Sequence, residues 1–403
     1  MNIDSLPIFK AVPPAAPQGL PVLRLGFRPF YIAGTLLAAL AVPLWLALFF
    51  GQVLWTPNLP PLLWHAHEML FGFAVAIIVG FLLTAAKAWT GLPTPRGPAL
   101  AALVLLWLAA RVAALVGPYA LYAALDLALL PLVAAILVRV LHKARNHRNL
   151  PLALLVLLLA LANLLFHLAV MGVFALPALT PLYAALVLIT LIECVIGGRV
   201  IPSFTMAVTP GLKLAAKTLL ERFVLGATGL GLLLWLLAAP SLLGGTMLAL
   251  ASALQVWRMR GWQSVVTRQR PILWILHLAY AWIPLGLALL ALAQFGLVST
   301  SAGVHALAVG ATGGLIIGMV TRTARGHTGR PLQVSRPEVL AYALVMAAAL
   351  LRVLLPLLLP LLLPSLYVVW LLVAGAAWSA AFLIYLWIYT PWLARTRLDG
   401  KDG

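Results

Sequence analysis

Residues 150–173 read LPLALLVLLLALANLLFHLAVMGV, an apolar run without a single formally charged side chain. A helix needs about 20 such residues to cross the hydrocarbon core of a bilayer. The rest of the chain has the same character, since 64% of its 403 residues are hydrophobic and only 8% are charged. A soluble domain carries about 25% charged residues. The composition therefore predicts that lipid is the main solvent of this protein.

Apolar stretches of this kind follow one another along the whole chain, and together they predict an all-α, polytopic membrane protein of about twelve transmembrane helices. The expected spans lie near 30–50, 62–86, 98–116, 120–140, 150–173, 181–202, 220–239, 241–257, 271–296, 302–322, 338–356 and 366–390. They divide the chain into a cytoplasmic N-terminal segment (1–29), a transmembrane helical domain (30–390) and a cytoplasmic C-terminal tail (391–403). No connection is long enough for a soluble catalytic domain, so any chemistry is expected among the helices.

Positive charge alternates from one connection to the next and indicates the orientation. The chain has 26 Lys and Arg against 8 Asp and Glu, and all of the basic residues except Arg111 and Arg352 fall on one predicted face. Loops 51–61, 117–119 and 174–180, on the other face, contain no charge. Because basic loops stay in the cytoplasm, both termini are predicted to be cytoplasmic (N-in/C-in). Contact with lipid head groups explains the basic loops, so no nucleic-acid partner is expected.

Ionisable residues inside the spans are the first candidates for a functional site, because they are costly to bury in lipid. His65, His67 and Glu68 open the second span in the segment WHAHEMLFGF, His305 opens the tenth, and His167 lies in the fifth. The four histidines are expected at a similar depth near the outer face. Neutral imidazole is a common ligand of copper and haem iron, so the set predicts a metal site. The alternative is that they are interfacial histidines bonded to water and backbone carbonyls.

The spacing of His65 and His67 limits how they can be used. They are two residues apart and so differ by about 200° around a regular helix. Both can reach one metal only where the start of the helix is distorted. Otherwise one of them binds the metal and the other faces a different partner. Glu68 falls on the face of His65, where it is expected to orient that ring as a hydrogen-bond acceptor.

Arg111 and Arg352 are the two arginines that depart from the cytoplasmic pattern, and both lie near the outer ends of their spans. Arg111 has an acidic neighbour at similar depth on the next helix, Asp126, so a structural salt bridge is one interpretation. The other is an anionic partner at the outer face, such as a haem propionate. Arg352 has no acidic neighbour in the sequence, and the second interpretation is favoured for it.

Further polar residues lie deeper in the chain's apolar segments. Glu193, near the middle of the sixth span, is expected either to be neutral and structural or to relay protons. Cys194 beside it is expected to pack. His277 lies in the inner half of the ninth span, and His327 lies in the cytoplasmic segment RTARGHTGRP. The sequence contains no GxxxxGK[ST], CxxC or GxSxG motif, and so gives no support for ATP hydrolysis, iron–sulfur ligation or serine hydrolysis.

Four separated motifs of the chain resemble those of the NnrS family. They are LGFRPFYIAG (25–34), WHAHEMLFGF (64–73), GGRVIPSFT (197–205) and HALAVGATGGLIIGMVTRTARGHTGRPL (305–332). The family consists of twelve-span proteins of denitrifying and other bacteria that are linked to the response to nitric oxide and are described as containing haem and copper. The matching positions are His65, His67, Glu68, Arg199, His305, Arg322, His327, Gly329 and Arg330.

The resemblance implies a multi-pass protein of the bacterial inner (cytoplasmic) membrane that holds haem b and copper. It would protect against nitrosative stress by binding or detoxifying nitric oxide, which enters through the lipid. Apart from nitric oxide, the expected partners are membrane lipids; the electron donor is not indicated. The expected residues, by role, are His65, His67 and His305 for metal binding, Arg111, Arg352, His167 and His327 for cofactor binding, and Glu68 and Glu193 for catalysis.

Two other classes of function stay open from the sequence. A transporter of a metal ion or small solute fits twelve spans, and intramembrane His and Glu could line its path; the two halves show no clear repeat. A non-catalytic haem-based sensor of nitric oxide would hold haem without consuming its ligand. An optical spectrum distinguishes the transporter from the two haem proteins.

Overall fold

The fold is described by a computed structural model, which covers residues 19–53, 57–214, 218–362 and 366–401. Within these ranges the regular secondary structure is entirely helical, as the sequence predicts. Residues 1–18 of the expected N-terminal segment, with Lys10, lie outside the described ranges, and so does Lys217.

Twelve long helices follow one another in the described part of the chain. They are α1 (Phe27–Phe49), α2 (Pro61–Thr90), α3 (Pro98–Val116), α4 (Tyr119–Lys143), α5 (Leu150–Val170), α6 (Leu179–Val208), α7 (Thr218–Leu237), α8 (Leu242–Arg260), α9 (Pro271–Gln294), α10 (Thr300–His327), α11 (Arg336–Leu362) and α12 (Tyr367–Leu393). Eleven of them are long and apolar enough to cross a bilayer. The exception is α8, whose second half carries Gln255, Arg258 and Arg260. The polytopic helical architecture is thus confirmed.

Proline and glycine set several helix ends. Pro61, Pro98 and Pro271 stand in the first turns of α2, α3 and α9, where the missing N–H would have had no intrahelical partner. Helix α2 ends at Gly91, whose φ of 69° is left-handed and is readily adopted only by glycine. These local signals explain why the observed helices start and stop close to the predicted spans.

Helices α2, α9 and α10 form the centre of the bundle. In their most apolar windows, 78%, 72% and 72% of the residues are buried, against 28–50% for the other spans. The chain closes around this centre, because α1 packs against both α2 and α12, and α11 packs against α12 and α10. The central helices are also the ones that carry most of the predicted histidines, so those side chains face protein and not lipid.

Both α2 and α10 change from α-helix to π-helix directly after a histidine. The π segments are Glu68–Ala74, which follows His67, and Ala306–Gly313, which follows His305. Such segments are rare and occur frequently at functional sites. The turn before the first of them, Pro61–His67, is regular α-helix. His65 and His67 therefore keep the wide angular separation of a regular helix and face different parts of the bundle.

Candidate functional site

One group of buried polar side chains joins α2, α4 and α5, and we refer to its ligand-type residues His67, Asp126 and His167 as the His67 cluster. The Nε2 atoms of the two histidines lie 3.3 Å and 3.2 Å from Oδ2 of Asp126. All three potential ligand atoms lie within 4.8 Å of one another. Both imidazoles are fully buried and Asp126 is 6% exposed. Two imidazoles and one carboxylate are a donor set that binds Zn²⁺, copper or Fe²⁺.

The hydroxyls of two α4 tyrosines contact the Nδ1 atoms of these imidazoles. The hydroxyl of Tyr122 is 2.9 Å from Nδ1 of His67, and that of Tyr119 is 2.9 Å from Nδ1 of His167. A partner on Nδ1 fixes the ring and directs Nε2 inward, which is the arrangement that commonly surrounds metal-bound histidine. The separations of 3.2–3.3 Å to Asp126 also match a shared ion, since ligand bonds of about 2.0–2.2 Å place neighbouring ligands about 3–3.5 Å apart.

Arg111 of α3 joins this cluster to Glu68. Its Nη1 donates to both carboxylate oxygens of Glu68 at 2.9 Å, and its Nη2 forms an ion pair with Asp126. The pairing of Arg111 with Asp126 that the sequence suggested is confirmed. Gly72 makes this approach possible, because a Cβ there would lie 2.8 Å from Oε2 of Glu68 and 3.1 Å from Nη1 of Arg111.

The formal charges of this group do not cancel. Glu68 and Asp126 contribute two negative charges and Arg111 one positive charge, so the group carries one net negative charge while both imidazoles are neutral. An uncompensated buried charge is strongly unfavourable. The net charge is removed either by a proton, on a carboxylate or an imidazole, or by a metal ion bound to the inward-facing Nε2 atoms. The residues present thus fit a bound metal ion.

A cavity of about 320 Å³ lies beside this cluster, and we call it the His65 cavity. Its polar lining comes mainly from His65, His305 and Arg352, and its apolar walls include Trp45 and Trp378. The ring of Trp45 stacks on His65 with the centroids 4.1 Å apart. Nδ1 of His65 is buried and has no hydrogen-bond partner among the described residues. A volume of this size is at the lower end of the range for small-molecule sites.

The second histidine of the cavity is held by the first turn of α10. Nδ1 of His305 lies 2.8 Å from the carbonyl oxygen of Ser301, so Nε2 is the nitrogen left for a ligand. Arg352 donates to the Ser301 hydroxyl at 3.3 Å, while its Nε is buried without a partner in the described part of the chain. No carboxylate among those residues pairs with Arg352. The cavity thus offers two imidazoles and one unpaired guanidinium to an occupant.

The comparison with protein families agrees with this arrangement of helices and histidines. A family model described as NnrS protein matches residues 21–397. The chain belongs to the NnrS family. Membership is consistent with a role in the nitric oxide response and links the chain to metal binding. No curated protein shows significant similarity to the chain.

In this NnrS protein the three histidines predicted to bind metal do not share one site. His65 and His305 line the His65 cavity, whereas His67 joins His167 in the His67 cluster. Glu68, which was expected to orient His65, instead bonds to Arg111 and contacts Nδ1 of His67 at 3.3 Å. The regular α-helix up to His67 explains why His65 and His67 face different parts of the bundle. Glu68 is the first residue of the π segment, so the α-helical spacing that predicted its contact with His65 does not apply to it.

Four residues of the His67 cluster and its surroundings were not among the predicted site residues: Asp126, Asn163, Tyr119 and Tyr122. Asn163 donates to Oδ2 of Asp126 at 2.6 Å, and its Oδ1 lies 3.0 Å from Nε2 of His67. A sequence signal for them exists. Tyr122 precedes Asp126 by four residues and Asn163 precedes His167 by four, so each pair shares one helix face.

The remaining predicted residues of this NnrS protein belong to neither histidine site. Glu193 lines a separate cavity of about 90 Å³. His327 ends α10 and packs on the ring of Phe27 with the centroids 5.4 Å apart. Nε2 of His277 is bonded to the Thr205 hydroxyl at 3.0 Å. The structure therefore brings neither Glu193 nor His327 into contact with the histidine pairs.

Proposed function

We propose that this NnrS protein is a haem- and copper-containing protein of the bacterial cytoplasmic membrane that binds nitric oxide and removes it by reduction. The observation that carries the proposal is the buried Nδ1 of His65, which lacks a partner among the described residues, in a side chain that lines an apolar cavity together with His305 and Arg352. A ring nitrogen that is desolvated without a hydrogen bond is unfavourable. Coordination to a metal removes that cost.

The two histidine sites suit different groups. The His65 cavity would hold haem, with His65 and His305 as candidate iron ligands and Arg352 as the partner of a propionate. The His67 cluster is too tightly packed with side chains for a macrocycle and would hold a copper ion through His67 and His167. When bound, these groups would supply a coordination position for nitric oxide and would pass on to it electrons from an external reductant.

The side chains around the cavity have identifiable roles in this proposal. Trp45 holds the His65 ring by stacking, and the Ser301 carbonyl fixes which nitrogen of His305 is free. The apolar walls exclude water but admit nitric oxide, since it is small, uncharged and soluble in lipid. Arg352 places a positive charge at the rim of the cavity, where an anionic substituent of the occupant would lie.

The proposed orientation places both histidine sites near the outer face. Arg322 and Arg325, in the last turns of α10, and Arg336, in the first turn of α11, lie at the other end of these helices. With such clusters in the cytoplasm, both termini are cytoplasmic. Protons consumed at the cavity then have to come either from the nearby outer face or through the bundle.

The test is the haem and metal content of the purified protein, with an absorption spectrum of each histidine variant. We expect a Soret band that His65→Ala or His305→Ala abolishes. His67→Ala should remove copper and leave the Soret band in place. His277→Ala serves as the matched control, because this histidine bonds to Thr205 and its loss should change neither signal.

Three other results would contradict the proposal, and each would favour a different interpretation. A well-folded preparation without haem or metal would refute the proposal and favour a transporter. Bound haem without consumption of nitric oxide by the reduced protein would favour a sensor and refute reduction. Loss of the Soret band in His67→Ala but not in His65→Ala would reverse the assignment of the two sites.

A further inference from the structure

The cavity that contains Glu193 is an apolar pocket with three polar exceptions, and we call it the Glu193 cavity. Its walls are mainly isoleucine, leucine, valine and methionine side chains of α2, α6, α9 and α10. The exceptions are Tyr31 of α1, Glu193 of α6 and Thr312 of the π segment of α10. The Tyr31 hydroxyl, Oε2 of Glu193 and Oγ1 of Thr312 are all buried without a normal hydrogen bond among the described residues.

Polar atoms without a geometrically good hydrogen bond are unusual around one small cavity, although Thr312 lies beside Glu193 and Thr323 lies beside Tyr31. Buried polar groups are nearly always hydrogen-bonded to protein or to ordered water, and in a bilayer each unpaired one is costly. A volume of about 90 Å³ has room for a few water molecules, and a buried water needs two to four polar partners. The geometry favours water that bridges Tyr31, Glu193 and Thr312.

Thr312 connects this cavity to the His65 cavity, because it lines both of them. It also lies beside the Glu193 carboxyl group. The π segment places Thr312 in the widened part of α10, seven residues after His305. The Thr312 hydroxyl therefore lies next to the Glu193 carboxyl group and belongs to a residue that lines the His65 cavity.

On the side of Tyr31, buried phenols extend from the Glu193 cavity toward the end of the bundle that carries Arg322, Arg325 and Arg336, which we call the basic face. Tyr385 lies near Tyr31 and Tyr342, and the hydroxyls of all three lack a geometrically good hydrogen bond in the described part of the chain. The ring of Tyr385 stacks on Tyr389 with the centroids 4.6 Å apart. The Tyr389 hydroxyl donates to Glu338.

Glu338 is the residue of this series that lies at the basic face of the bundle. It lies in the first turn of α11 and pairs with Arg325 of the last turn of α10, at 2.6 Å. Arg325 in turn donates to the Tyr389 hydroxyl at 3.2 Å. The polar groups thus form an interrupted series from this ion pair toward the His65 cavity.

We propose that Tyr31, Glu193 and Thr312, with water in the Glu193 cavity, form a proton path from the basic face of the bundle to the His65 cavity. Glu193 carries the proton as a neutral carboxylic acid. Each proton that leaves it toward Thr312 is replaced by one that arrives past Tyr31, so the path itself undergoes no net change. The segment from Glu193 to the His65 cavity rests on the proposed function; the segment from the basic face to Glu193 does not.

The test is infrared spectroscopy of the full-length protein in detergent, without nitric oxide. The difference between wild type and Glu193→Gln identifies the C=O stretch of a protonated Glu193. After transfer to D₂O, the rate at which this band shifts reports how quickly water reaches the carboxyl proton. We expect Tyr31→Phe to slow the shift by about tenfold or more, the effect of losing roughly one hydrogen-bonded link.

Tyr280→Phe is the matched control. Its hydroxyl is also buried, but it is bonded to Gln255 at 2.8 Å and to Arg258, and Tyr280 does not line the Glu193 cavity. It should leave the exchange rate unchanged. The absence of a protonated Glu193 band, or equal exchange rates in wild type and Tyr31→Phe, would overturn the proposal. Because this measurement needs neither haem nor turnover, its failure is distinct from failure of the proposed function.

The segment beyond Glu193 needs its own variant, Thr312→Val, which keeps the shape of the side chain. Exchange at Glu193 should remain fast in this variant, since the proposed route past Tyr31 is left unchanged. Proton uptake by proteoliposomes during reduction of nitric oxide should fall by about tenfold. Unchanged uptake would show that protons reach the His65 cavity by another route.

Discussion

Arg111→Met removes the guanidinium that lies between Glu68 and Asp126. Arg111 is 6% exposed, donates twice to Glu68 at 2.9 Å and pairs with Asp126. Breaking a buried ion pair by removing one partner costs about 3–5 kcal/mol, because the other charge stays buried. A loss of about 4 kcal/mol in the free energy of unfolding is expected, roughly a thousandfold in the folding equilibrium.

The assay is chemical unfolding in mixed micelles, with Arg352→Met as the matched control. Arg352 also lies in the part of the bundle that contains the histidines, where it lines the His65 cavity, but its hydrogen bond to the Ser301 hydroxyl is 3.3 Å long and no described carboxylate pairs with it. Its replacement should cost less than about 1 kcal/mol. Adding Asp126→Asn to Arg111→Met should recover part of the loss, since one buried charge is then removed. Equal unfolding free energies for the two methionine variants would refute this account of the charges.

Two smaller changes test the same site. Tyr122→Phe removes the partner of Nδ1 of His67 and should lower the affinity for the bound metal about 10- to 100-fold, measured by competition with a chelator; an unchanged affinity would mean that this hydroxyl does not orient the ring. Gly72→Ala places a Cβ 2.8 Å from Glu68 and should cost about 1–3 kcal/mol of stability. Gly226→Ala, where nothing lies within 4 Å, is its control and should be neutral or stabilising.

The helices could be predicted closely because each depends on a local property, a run of about 20 apolar residues between polar or proline-containing turns. Only α8 departs from this pattern. It is a helix, as expected, but Gln255 and Arg258 in its second half make it too polar to be counted among the candidate spans. Both side chains are buried, and Arg258 pairs with Glu221 of α7. Tertiary contacts of this kind cannot be read from hydropathy.

The candidate site was only partly predictable, since its residues come from different helices. The pairing of Arg111 with Asp126 followed from their similar depth on adjacent helices. The sequence left open whether His65 and His67 bind one metal or face different partners. The outcome depends on whether α2 starts as a regular helix, which the sequence does not show. The π segments that follow His67 and His305 have no simple sequence signature beyond their glycines. Their position is set by packing.

The alternation His-Ala-His at the start of α2 places two similar ligands in electrostatic environments of opposite sign. His67 faces a group in which two carboxylates oppose one guanidinium, so the group favours a cation. His65 faces a cavity whose charged lining residue is Arg352, and the cavity favours an occupant that carries negative charge. A bare metal ion is positively charged, whereas a metal held in an anionic macrocycle belongs to a group that carries negative charge. The charges of the two sites, and not the histidines themselves, therefore predict which group each site would select.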